Sequence, residues 1–241
     1  MVEGWRIFRL IATAGGVMEA QNAGPEHRFW PVSSPRYAPM KSVLLTVLLL
    51  ATGAVAANAN DSRYTDLKPK SCQTISQAED ESGSVSLKCK GLDGYPVYVK
   101  EGDLRQSAFF GPIDDLYVER AFESFGTFNH AGEKVEWRVD AGGKPVAAIL
   151  RYVIEHADPK TGAPSKSSQG QILVVSKVAQ KDNGQGCVAG YVDALANPDA
   201  NDLARQIGDT VVPDFRCGSD EPTWHGKKGE RADEPMRYLP Q

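Results

Sequence analysis

Apolar and polar residues alternate most cleanly in Lys134-Val-Glu-Trp-Arg-Val-Asp140. Successive side chains of a strand point to opposite faces, so this segment predicts a half-buried strand. Val135, Trp137 and Val139 turn inward, while Glu136 and Arg138 turn the other way. The same alternation runs through Ser84–Lys90, Tyr95–Lys100 and Leu104–Phe110. Gly91–Gly94 and Gly102-Asp103 separate these three runs at the spacing of an antiparallel meander. Gly142-Gly143 turns the chain into the apolar run Pro145–Glu155, and Gln171–Val178 repeats that character. The turn Lys181–Gly186 carries an Asn-Gly pair suited to positive φ and leads into Cys187–Val192. Two stretches follow a helical period instead. Asp114–Phe125 opens on acidic residues and groups Leu116, Val118 and Phe122. Asn197–Thr210 starts with a capping Asn and Pro198, and aligns Leu203, Ala204 and Ile207. Residues 157–169 read as a polar, mobile loop.

A different pattern lies near the start of the chain. From Met40, Lys41 leads into the apolar run Val43–Ala51, followed by Thr52-Gly53 and the small residues Ala57-Asn58-Ala59. This is the layout of a secretory signal peptide, and the run is well short of the roughly 20 residues that span a bilayer. Residues 40–59 are therefore expected to be a signal peptide cleaved near Asn60. Signal peptides stand at the N-terminus, so residues 1–39 are expected to be an extension upstream of a true start at Met40. Over the whole chain the formal charge is −4; residues 60–241 keep 22 basic and 28 acidic residues, which is −6. A mildly acidic protein is a poor partner for nucleic acid or an anionic membrane surface.

All four cysteines, Cys72, Cys89, Cys187 and Cys217, fall after the signal. An even count in an exported chain predicts two disulfides. Three pairings are open, and Cys72–Cys89 with Cys187–Cys217 is favoured because each pair brackets one local unit. Each bridge would contribute about 3 kcal/mol by the loop-closure model. No CxxC or CxxH spacing suggests a metal.

Candidate chemistry is sparse. The chain has no GxSxG, P-loop, GxGxxG or HExxH motif. Three histidines follow the signal: His130, His156 and His225. A metal site built from them with Glu136 or Asp158 would need convergence in space. Glu136 and Arg138 share one strand face, which reads either as the wall of a polar groove or as a solvated outer surface. His130, Glu136 and Arg138 are the candidate catalytic residues if the protein is an enzyme; no cofactor or metal is expected. The aromatic set from Phe109 to Phe128 reads as core, with an aromatic-lined groove for a glycan or peptide as the other option. Trp224 and His225 lie in a charged, Pro-bearing tail.

Three stretches, GYPVYVKEGDLRQS (94–107), FESFGTFNHAGEKVEWR (122–138) and GYVDALANPDANDLAR (190–205), resemble an uncharacterised family of exported, periplasmic proteins of rhizobia-like Gram-negative bacteria. The resemblance covers most of residues 70–220. It implies an envelope location and brings no known activity.

The combined expectation is a single α+β domain at 71–217 with an antiparallel sheet of about six strands, one main C-terminal helix, a short helix and two disulfides. A flexible lead-in at 60–70 and a loose tail at 218–241 would flank it. The leading functional expectation is a periplasmic or secreted, non-catalytic protein that binds an envelope protein, peptide or glycan, with no membrane span in its mature form. The rival is a periplasmic, hydrolase-like enzyme whose site lacks a recognisable motif.

Overall fold

Val135, Trp137 and Val139 are almost wholly shielded from solvent, as the alternation predicts. The architecture follows from what covers the two sides of their strand. The computed structural model describes residues 60–79 and 83–240. The expected signal peptide at 40–59 and the extension at 1–39 lie outside the described residues.

In chain order the elements are β1 (Asp61–Asp66), β2 (Gln73–Gln77), β3 (Val85–Leu92), β4 (Tyr95–Gly102), β5 (Arg105–Phe110), α1 (Asp115–Arg120), β6 (Phe122–Phe125), β7 (Asn129–Val139), β8 (Pro145–Ile154), β9 (Gly170–Lys177), β10 (Cys187–Asp193), α2 (Ala200–Thr210), β11 (Thr223–Trp224) and β12 (Pro235–Tyr238). The large sheet runs β1-β7-β8-β9-β10-β11, antiparallel except for β10 and β11. The meander β2-β3-β4-β5 forms a second sheet, and β12 pairs with β6. Trp137, Leu150 and Val174 of the large sheet pack on Val97, Val99 and Phe110 of the meander. There the rings of Phe110 and Trp137 meet edge to face at 5.6 Å. The opposite side of the large sheet carries Ala147, Ile149, Leu173 and Val175, which bury against Ala200, Ala204 and Ile207 of α2. α1 closes the outer face of the meander over Tyr98 and Phe109. The order is helix, sheet, sheet, helix.

The α+β class and the main helix stand, but the single six-stranded sheet becomes twelve strands in three sheets among the described residues. The added strands lack an apolar period. β1 reads DSRYTD and β2 reads QTISQ; both are set by the partner strand, not by their own composition. Residues 61–66, expected as part of a flexible lead-in, pair along their whole length with β7. Thr65 accepts the Trp137 indole N–H at 2.9 Å. The helix expected over 114–125 stops at Arg120, and Phe122–Phe125 is β6. Lys100 Nζ donates to the carbonyl oxygens of Glu119 and Ala121, capping that early end. Asn197 does not cap α2; its amide joins Asp193 to Lys227 across the loop. The tail expected to be loose supplies β11 and β12, and Trp224 packs against Tyr191 at 5.3 Å between ring centres. Both favoured disulfides form, Cys72–Cys89 and Cys187–Cys217, with Cα separations of 4.4 and 5.7 Å.

Of the expected aromatic core, Phe109, Phe110, Tyr117 and Phe125 are buried. Phe128 is 42% exposed, with Arg105 over its ring at 5.1 Å.

Candidate functional site

The strand period puts Glu136 and Arg138 on the α2 side of the large sheet, and there they are neither solvated nor open. They are 8% and 5% exposed. Arg138 grips the Asp209 carboxylate of α2 through Nε at 2.9 Å and Nη2 at 2.7 Å. It also donates to Ser62 Oγ and to the Asn60 carbonyl on the strand side. Glu136 accepts from Arg205 Nε at 2.6 Å and from Ser62 Oγ. Its carboxylate pushes the Arg205 guanidinium further up from an already high pKa, by hydrogen bond first. Gly208 permits the approach: a Cβ there would come within 3.0 Å of Arg138 Cγ. The expected solvated face is a clasp, because α2 covers this end of the sheet and brings its own carboxylate and guanidinium.

His130 is elsewhere. It pairs with Val153 and Glu136 pairs with Ile149, four residues apart on β8, which is about 13 Å along the strand. Its Nδ1 lies 3.2 Å from Glu155, with half of the His130 side chain exposed. His156 Nε2 contacts the Arg231 carbonyl at 2.9 Å, and His225 Nε2 lies 3.3 Å from Thr223 Oγ1. Among the described residues no group of three or more His, Cys, Asp and Glu is placed to hold a metal ion. The three candidates His130, Glu136 and Arg138 therefore do not converge on one reacting position.

What the same face does contain is an open groove of about 310 Å³ where α2 ends and the sheet continues. Its floor includes Ile149 and Leu173; its rim includes Tyr64, Lys134, Asn201 and Arg205. A register irregularity between Ala131 and Val135 bends β7 along the rim. Arg151 lies at the open end. It donates to Gln171 Oε1 at 3.0 Å and stands 3.5 Å from Asn201 Oδ1. Among the described residues it has no carboxylate within ion-pair distance, and burial lowers its pKa. Neighbouring cations are taken: Lys134 by Asp66 at 2.8 Å, Arg205 by Glu136 and by Asp202 at 2.9 Å. A half-buried guanidinium held only by neutral amides is incompletely compensated for its desolvation. Arg151 was not among the sequence candidates. Its signal was there: it is the one charged residue inside the apolar strand Pro145–Ile154, in phase with Ala147 and Ile149.

A larger cleft, about 650 Å³, lies under the C-terminal segment between Tyr117, Glu221 and Arg237. Two of the three nitrogens of its guanidinium are committed, and Nη2 is buried without a hydrogen-bond partner among the described residues. Arg237 Nε donates to Glu123 at 2.7 Å and Nη1 donates to Glu221 at 3.2 Å. Glu123 is fully enclosed and also accepts the Val188 N–H at 2.8 Å. Burial pushes its carboxyl up to about 7, against the opposing pull of Arg237. This pair ties β12 to β6 and to β10.

The chain matches no protein-family model, no curated protein and no solved structure. Two disulfides fit an extracellular or periplasmic protein, and no helix of the described residues is long and apolar enough to cross a membrane.

Proposed function

We propose that this protein is an exported, non-catalytic binding module of the bacterial cell envelope, in keeping with the family it resembles. The observation that carries the reading is the contrast on one sheet face. Two of the candidate catalytic side chains, Glu136 and Arg138, are held by α2, while Arg151 is left with amide partners beside an open groove. Preformed concave sites with a few oriented polar groups are how small ligands are held. The hydrolase reading built on His130, Glu136 and Arg138 would require these side chains to share a reacting atom, and the register of β7 on β8 holds His130 apart from the other two.

Two measurements test this on the full chain expressed in a Gram-negative host. Fractionation and N-terminal sequencing should find a processed protein in the periplasm beginning near Asn60; a cytoplasmic protein beginning at Met1 sinks the export claim. The recovered protein should show no turnover of chromogenic ester, peptide, glycoside or phosphate substrates beyond that of a His130→Ala variant. Turnover that His130→Ala abolishes would establish the hydrolase reading instead.

A further inference from the structure

We infer that the groove at the open end of α2 is a binding site for a small ligand carrying a single carboxylate, held by Arg151, with a compact apolar body over Ile149 and Leu173. The inference rests on the binding-module reading and names its ligand class. Three features lead to it. First, Arg151 is the guanidinium of the groove that lacks a carboxylate; Arg205 is engaged by Glu136 and Asp202, and Lys134 by Asp66. A guanidinium fork matches a carboxylate in a bidentate arrangement, and such charge-assisted bonds are the strong ones. Second, Glu133 and Glu136 also line the groove. Against them stand Lys134, Arg151 and Arg205, so the lining carries a formal excess of one positive charge, which suits one carboxylate better than a dianion. Third, the floor is apolar and the volume, about 310 Å³, lies at the small end of ligand sites. The exposed ring of Tyr64, at 51%, offers a flat apolar side to the bound group.

The ligand's carboxylate would replace water at Arg151 while Gln171 and Asn201 keep the guanidinium oriented. No bond is made or broken. The probe is N-acetyl-leucine, with the uncharged N-acetyl-leucinamide and inorganic phosphate as its controls, titrated into the processed protein and followed by amide NMR shifts and calorimetry. N-acetyl-leucine should bind at least about tenfold more tightly than its amide and more tightly than phosphate. The shifts should centre on β8, β9 and the first turn of α2. Arg151→Gln should weaken binding by about tenfold or more, and Arg151→Lys by less. Asn201→Asp, which supplies an internal carboxylate, should weaken it as well. Arg216→Gln, on an exposed loop and paired with Asp220, should leave it unchanged. Equal binding of acid and amide, tighter binding of phosphate, indifference to Arg151→Gln, or no response at millimolar probe each overturns the assignment. Binding of a different ligand that survives Arg151→Gln would sink this site yet leave the binding module standing; turnover dependent on His130 would sink the module itself.

Discussion

Arg138 and Arg151 lie on the same face of the same sheet, on neighbouring strands, and have opposite fates. Arg138 is covered by α2 and meets a carboxylate, a hydroxyl and a backbone carbonyl. Arg151 lies at the first turn of α2, where the helix ends its cover, and meets two amides. The difference shows how position relative to α2 decides whether a charge finds an ionic partner within this fold. Under the helix, desolvation is offset by ionic partners delivered from α2 itself. At the helix edge, desolvation is partial and α2 delivers no carboxylate.

The largest test of this contrast is Arg138→Met. It leaves Asp209 with only the Asn60 amide and no cation, and Ser62 and the Asn60 carbonyl without their donor, so urea unfolding should show a loss of about 3 kcal/mol. A loss under 1 kcal/mol would mean that α2 is held by its apolar face alone.

The Glu123–Arg237 pair is a second buried ion pair, and pH probes it. Glu123 titrates at about 7 in the fold, against 4.5 ordinarily. The folded state therefore binds this proton more tightly than the unfolded one. The stability it lends is full below 4.5 and lost as the pH rises through 7. Relative to Glu123→Gln, the protein should be more stable at pH 5 than at pH 8, by at most about 3 kcal/mol for a shift of this size. Denaturation midpoints of both proteins at both values decide the sign; a difference growing toward alkaline pH would mean that Arg237 dominates over burial.

Smaller effects are expected at the open end. Asn201→Asp places a carboxylate beside Arg151 and near the N-terminus of α2, and should raise stability by up to about 1 kcal/mol. Arg151→Gln should change thermal stability by about 0.5 kcal/mol or less, since it breaks no ion pair. A large loss from Arg151→Gln would erase the distinction between the two arginines and make both of them clasps.

Much of this was legible locally. The strand around Trp137, the long apolar strands β8 and β9 and the helix α2 follow from period-two alternation and helical spacing, which act over a few residues, and the favoured one of three cysteine pairings joins residues 17 and 30 apart. The candidate site was half legible. Alternation put Glu136 and Arg138 on one face correctly, but it was blind to Asp209 and Arg205, which arrive from a helix some seventy residues later. The polar strand β1 was hidden for the same reason: DSRYTD carries no apolar stripe, and its order comes from hydrogen bonds to β7. So was the tail, whose Arg237 finds Glu123 across 114 residues.

The amino-acid sequence by itself therefore determined which side chains share a face and which segments must be buried, because those follow from backbone periodicity and the cost of wetting apolar surface. Only the tertiary structure decided which charges are neutralised. That depends on where α2 stops along the sheet, and a helix of 11 residues covers Arg138 and leaves Arg151 at its edge.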